Sequence, residues 1–114
     1  MANHRALPRS EWNTFFNALS GALQGSRAEV EVASLALGDQ IVAEWMPLSG
    51  ITYDRENNVL DVALVGLRHL IQDPKDILVQ EGPTGVTSIA VAARDGSKQI
   101  VTLKTPLMLP PASV

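Results

Sequence analysis

Near residue 28 the spacing of apolar residues changes from a helical period to a period of two, and this switch fixes the class of fold. Trp12, Phe15, Phe16, Leu19 and Leu23 recur at i, i+3, i+4, i+7 and i+11, which places them on one stripe of an α-helix. Asn13, Asn17, Ser20 and Gln24 fall largely on the other side. Ser10 reads as an N-cap with Pro8 just outside it, and Glu11 complements the helix dipole. Gly25 suits a left-handed terminator, while Gly21 costs about 1 kcal/mol of propensity relative to Ala and weakens the last turn. The spacing predicts a helix over 10–24. It carries three of the chain's five aromatic residues, so it needs a covering surface and anchors the core.

From Ala28 onward, Val30 and Val32 alternate with Glu29 and Glu31, the pattern of a half-buried strand. Turn signals then divide the chain at Gly38-Asp39, Pro47, Arg55–Asn58, Glu81-Gly82-Pro83 and Asp95-Gly96. They predict strands over 28–37, 40–46, 50–54, 58–65, 76–81, 86–94 and 98–104. Leu67, Leu70 and Ile71 have helical spacing, so 66–73 reads as a single helical turn stopped at Asp73-Pro74. The tail over 105–114 is apolar and rich in proline and reads as irregular. No crossover helices are present for a parallel sheet. The expectation is one α+β domain: an N-terminal amphipathic helix packed on a curled antiparallel sheet of six to seven short strands, a small open barrel or meander.

Composition removes several functions. The 114 residues contain no cysteine, which excludes disulfides, Cys-ligated metals and thiol catalysis. Twelve acids and nine bases give a net charge of −3, and no two bases are adjacent, which disfavours nucleic acid as a partner. No apolar run has signal-peptide or membrane-spanning length, so a cytoplasmic location is the default expectation.

Leu7-Pro8-Arg9-Ser10-Glu11-Trp12 with Phe16, Pro47-Leu48-Ser49-Gly50-Ile51, His69-Leu70-Ile71 with Pro74, and Asp95-Gly96 stand in this order along the chain. From about Leu7 to Leu109 the sequence resembles a family of small bacterial proteins known only as a domain of unknown function. These landmarks are helix-start, turn and core residues. The resemblance implies a bacterial, soluble, stand-alone protein and brings no activity with it.

Few residues qualify for chemistry. His69 is the candidate ligand or general acid/base, with Asp73 four residues on as its partner if the intervening turn is helical. Its structural reading is a histidine bound to backbone in an irregular segment; His4 reads as part of a frayed terminus. Asp54, Glu56 and Asp61 with Asn57 and Asn58 resemble a hard-cation loop in content only, because the spacing fails the calcium-loop pattern and glycine is missing. A solvated hairpin loop explains them better, and Asp73 and Asp76 read as turn formers around Pro74. There is no G-x-S-x-G elbow, phosphate loop or dinucleotide fingerprint, so no cofactor or metal is expected.

Two surfaces remain: the tail residues Leu107, Met108 and Leu109, which either seal the core or dock on a partner, and the edges of the sheet. The leading expectation is a non-enzymatic protein-interaction module that binds protein, a second copy of itself included. The alternatives are a ligand- or RNA-binding small barrel and a small enzyme using His69.

Overall fold

The aromatic stripe forms its helix, and the strands that cover it join into one sheet. The computed structural model describes residues 3–109. In chain order these form β1 (Asn3–Ala6), a 3-10 turn (Arg9–Glu11), α1 (Trp12–Ala22), β2 (Arg27–Ser34), β3 (Gly38–Asp54) and β4 (Val59–Leu64). The chain continues through β5 (Leu67–Gln72), β6 (Pro74–Gly82), β7 (Gly85–Ala93) and β8 (Lys98–Leu107). Ser10 is not a cap: it lies inside the 3-10 turn that leads into α1, and Leu23 already has extended backbone. The helix is therefore shorter at both ends than the spacing suggests.

All eight strands are antiparallel to their neighbours, in the order β1-β6-β7-β8-β2-β3-β4-β5. Two meanders, β2 to β5 and β6 to β8, are joined by the β8–β2 ladder. Eight strands replace the expected six to seven, and the sheet is open, not a closed or strongly curled barrel. The reason lies at Asp73, the one residue between β5 and β6. Its backbone has φ 51°, its N–H donates to the Asn58 carbonyl, and its carbonyl accepts from Arg94 N–H. Both groups bind other loops, and no ladder joins β5 to β6 among the described residues.

Three segments depart from the sequence pattern. The expected strands over 40–46 and 50–54 are one strand, β3. It pairs with β2 up to Pro47 and with β4 from Leu48 onward. Pro47 sits at that handover, where its carbonyl accepts from Val65 N–H and Leu48 N–H donates to Ser26, so the missing proline donor breaks neither ladder. The expected helical turn over 66–73 is β5, held by six register pairs to β4. Residues Thr105–Leu107 of the expected irregular tail belong to β8, while 110–114 lie outside the described residues.

Where β2 stops short, α1 takes its place beside β3. Ser20 Oγ accepts from Ile51 N–H and donates to the Ile51 carbonyl, both at 2.9 Å, so one hydroxyl stands in for a strand partner. At the other end of the helix the Trp12 indole N–H donates to the Leu7 carbonyl at 3.0 Å. The Tyr53 ring meets Trp12 edge-on at 5.0 Å, and the Arg9 guanidinium lies 4.3 Å from the Trp12 ring centre. Arg9 also donates to the Tyr53 hydroxyl, Asn58 Oδ1 and the Pro74 carbonyl. One side chain thus ties the helix start to β3, the β3–β4 loop and the β5–β6 corner.

Candidate interaction surface

Each candidate from the sequence has a definite place in the fold. His69 lies on β5 opposite Val62, and its Nε2 is hydrogen-bonded to Oε1 of the buried Gln99 on β8. The helical turn that would bring Asp73 to it is absent. Four residues of extended chain separate the two by about 13 Å. The His69–Asp73 pairing is thereby corrected: the imidazole is engaged by an amide, and Asp73 turns the chain.

The carboxylates of the 54–61 region are likewise occupied. Asp54 accepts from the Asn57 side chain first, then from Asn57 N–H and Glu56 N–H, and these bonds hold its carboxyl below its ordinary pKa. Asp61 is paired with Arg68 on β5. Among the described residues no group of three His, Asp or Glu side chains is placed to hold a metal ion. Asp76 does not form a turn; it lies on β6, exposed, opposite Ala92.

The tail divides. Leu107 pairs with Val86, and with Leu109 it packs against the core beside Phe15, where a groove of about 460 Å³ remains. Met108 points outward at 65% exposure.

The register assembles a surface that no local motif announces. Because side chains alternate across a strand, the ladders define rows on the face turned away from the core. One row runs Asp76, Ala92, Lys98, Ala33, Asp39. The next runs Ala6, Leu78, Ala90, Ile100, Glu31, Ile41, and the third His4, Gln80, Ser88, Thr102, Glu29. Their neighbours Ile77, Val79, Ile89, Val91, Val101 and Val30 are all buried on the inner face. No element covers the outer rows among the described residues, and Leu78 stays 40% exposed there. Ala90 and Ala92 leave a depression of about 410 Å³, bounded by Leu78, Asp76 and Lys98.

Charge is distributed unevenly around this face. Residues 28–46, the β2–β3 arm beyond the leading Arg27 of β2, contain four acids (Glu29, Glu31, Asp39, Glu44) and no base. The remaining eight acids and nine bases leave the rest of the chain at +1. Within the arm, the Glu31 pKa is raised from its ordinary 4.5, first by its hydrogen bond with Asp39, then by desolvation and the charges of Asp39 and Glu29. An acid with a raised folded-state pKa costs stability wherever it is ionised and costs nothing once it is protonated in both states. Glu31→Gln, which keeps a donor for Asp39, is expected to raise the melting temperature at pH 7. The gain should fade as pH falls through the raised pKa and vanish below about pH 4. Thermal melts across this range would show it, and equal melting temperatures at pH 7 would contradict the coupling.

Two comparisons place the chain among known sequences. An uncharacterized protein of the bacterium Aquifex aeolicus (strain VF5) is 33% identical over 107 residues, covering 93% of this chain and 96% of that protein. No solved structure matches. Residues 3–112 match a family of unknown function, DUF5335. With nearly the whole chain inside that match, and its resemblance resting on the helix start, the β3 handover and the turns described above, this protein belongs to the DUF5335 family.

Proposed function

We propose that the protein is a non-enzymatic protein-interaction module that self-associates through the outer face of its sheet. The observation that carries this reading is the face's charge self-complementarity. A two-fold axis along β7 lays β6 of one copy over β8 of the other. Asp76 then meets the partner's Lys98, Leu78 meets the partner's Ile100, and His4 meets the partner's Glu29. The alanines of β7 lie on their own copies, where small side chains allow close approach. Within one chain Asp76 and Lys98 are two strands apart, about 9.6 Å between backbones, and they do not form an ion pair.

The affinity follows from the area. Five strands about 4.8 Å apart and three rows about 6.8 Å apart cover about 500 Å² per copy, at the low end for specific association. A micromolar dimer is the consistent expectation, and the usual rotation of about 30° between packed sheets preserves the central contacts. Asp76→Lys and Lys98→Asp should each shift sedimentation at micromolar concentration to monomer. The double variant Asp76→Lys/Lys98→Asp restores both pairs across the two-fold and should dimerise again. A wild-type monomer at these concentrations, or a double variant that stays monomeric, would refute the reading.

A further inference from the structure

The second unsatisfied surface lies off that face, along the arm. β3 pairs with β2 over Gly38–Pro47 and with β4, on its opposite side, only from Leu48. On the β4 side, then, the backbone from Gly38 to Met46 has no strand beside it among the described residues. The vacancy begins at the β4–β5 turn, where Val65 N–H binds the Pro47 carbonyl, and runs to the tip of the β2–β3 hairpin. It occupies the column that β4 would fill if it were longer.

Large apolar side chains border the vacancy. Leu35 is fully exposed, Leu37 is 71% exposed and Val65 60%; Ile41, Val42 and Leu67 are also exposed. Such side chains beside an open strand edge form the usual template for an added strand, where main-chain bonds give affinity and flanking side chains give choice of partner.

Charge selects the occupant. Asp39 and Glu44 lie on the open strand and Glu29 and Glu31 on its neighbour. An antiparallel arm-to-arm pairing of two copies would bring these acids together, and the one base of β2, Arg27, is already engaged by the Trp45 carbonyl. The bulge that leaves Val42 without a partner on β2 further disfavours a flat self-pair. A strand carrying lysine or arginine between apolar residues meets no charge repulsion and brings no second bulge. We infer that the open edge of β3 over Gly38–Met46 is a strand-addition site for an extended, cationic, apolar segment of another protein. This site shares Glu29 and Glu31 with the two-fold face, but its main-chain edge on β3 lies outside the five strands which that face uses, so each can fail or hold apart from the other.

Three synthetic hexapeptides of blocked ends test this, with backbone amide shifts of isotope-labelled protein as readout: Lys-Val-Lys-Val-Lys-Val, its Glu-for-Lys counterpart, and Lys-Pro-Lys-Pro-Lys-Val. The first should bind and shift amides confined to 38–46 and 65–67. The second should not bind. The third keeps the charge but loses main-chain donors, and should bind at least about tenfold more weakly. The Asp39→Lys/Glu44→Lys variant, altered only at exposed positions, should weaken the first peptide by at least about tenfold while its spectrum stays folded. Equal binding of the proline peptide, shifts spread over other strands, or no binding of the first peptide would each overturn the inference. Concentration-dependent shifts at 38–46 without peptide would assign the edge to a second copy instead, which also overturns it.

Discussion

Replacing Trp12 by alanine is expected to lower the unfolding free energy by about 3–5 kcal/mol. Trp12 is 1% exposed, and its removal deletes more than buried area. The Leu7 carbonyl loses its indole donor, Tyr53 loses its edge-on partner, and the Arg9 guanidinium loses the ring beneath it. For a domain of this length the melting temperature should fall by about 15–30 °C. Urea unfolding measures the loss directly. A loss under about 1 kcal/mol would show that the helix start is not what anchors the sheet.

Gly85→Ala should be the most damaging of the glycine substitutions, at about 2–4 kcal/mol. Gly85 has φ 123°, and an added Cβ would lie 2.4 Å from the Leu107 carbonyl oxygen and 2.7 Å from the Met108 nitrogen. Both are backbone atoms, so no side chain can move aside. The end of β8 must separate from β7, taking the Val86–Leu107 pairing and the packing of Leu107 and Leu109 with it. Gly66→Ala is the control: its φ is also positive, at 88°, but nothing lies within 4 Å of the added carbon. It should cost about 1 kcal/mol. Chemical denaturation of both variants gives the comparison, and equal losses would mean that the close approach at Leu107 carries no weight.

The parts of the fold that could be read along the chain were those whose signal is local. The helix follows from an aromatic stripe, and the β3–β4 and β7–β8 hairpins follow from their turn residues. The parts that resisted depend on partners far away in sequence. β5 has the apolar spacing of a helical turn, but β4 offers it six ladder positions, and pairing overrides a weak local preference. β1 is four polar and small residues with no alternation; only its register with β6 makes it a strand. β3 looks like two strands because Pro47 and Gly50 interrupt it, and it continues because it changes partner there.

The same distinction applies to the candidate surfaces. His69 stands out because an imidazole can serve as ligand or general acid/base near pH 7, yet its environment is a buried amide on a strand thirty residues away. The outer face draws Asp76, Leu78, Ala90, Ala92, Lys98 and Ile100 from three strands, and only the register puts Asp76 and Lys98 in one row. The turn residues mark where these strands begin and end; which strands stand side by side has no local signal. The arm's four acids without a base were also there to be read, though the vacancy beside them becomes evident only once β4 is seen to pair with half of β3.

The β8–β2 ladder has a consequence for how the molecule is made. It joins residues 98–103 to residues 28–33, so the last strand of the sheet in the chain lies between two that were synthesised earlier, β7 and β2. Until β8 has left the ribosome, the nascent chain holds the β2–β5 meander and the β6–β7 hairpin with β1 on its edge, and no ladder joins β7 to β2. Loop closure across some seventy residues must then precede the final pairing, an ordering that makes folding slower than the short local hairpins would allow. In the meantime β2 and β7 both present open, apolar-flanked edges. The chain is most exposed to wrong partners in the interval before β8 emerges.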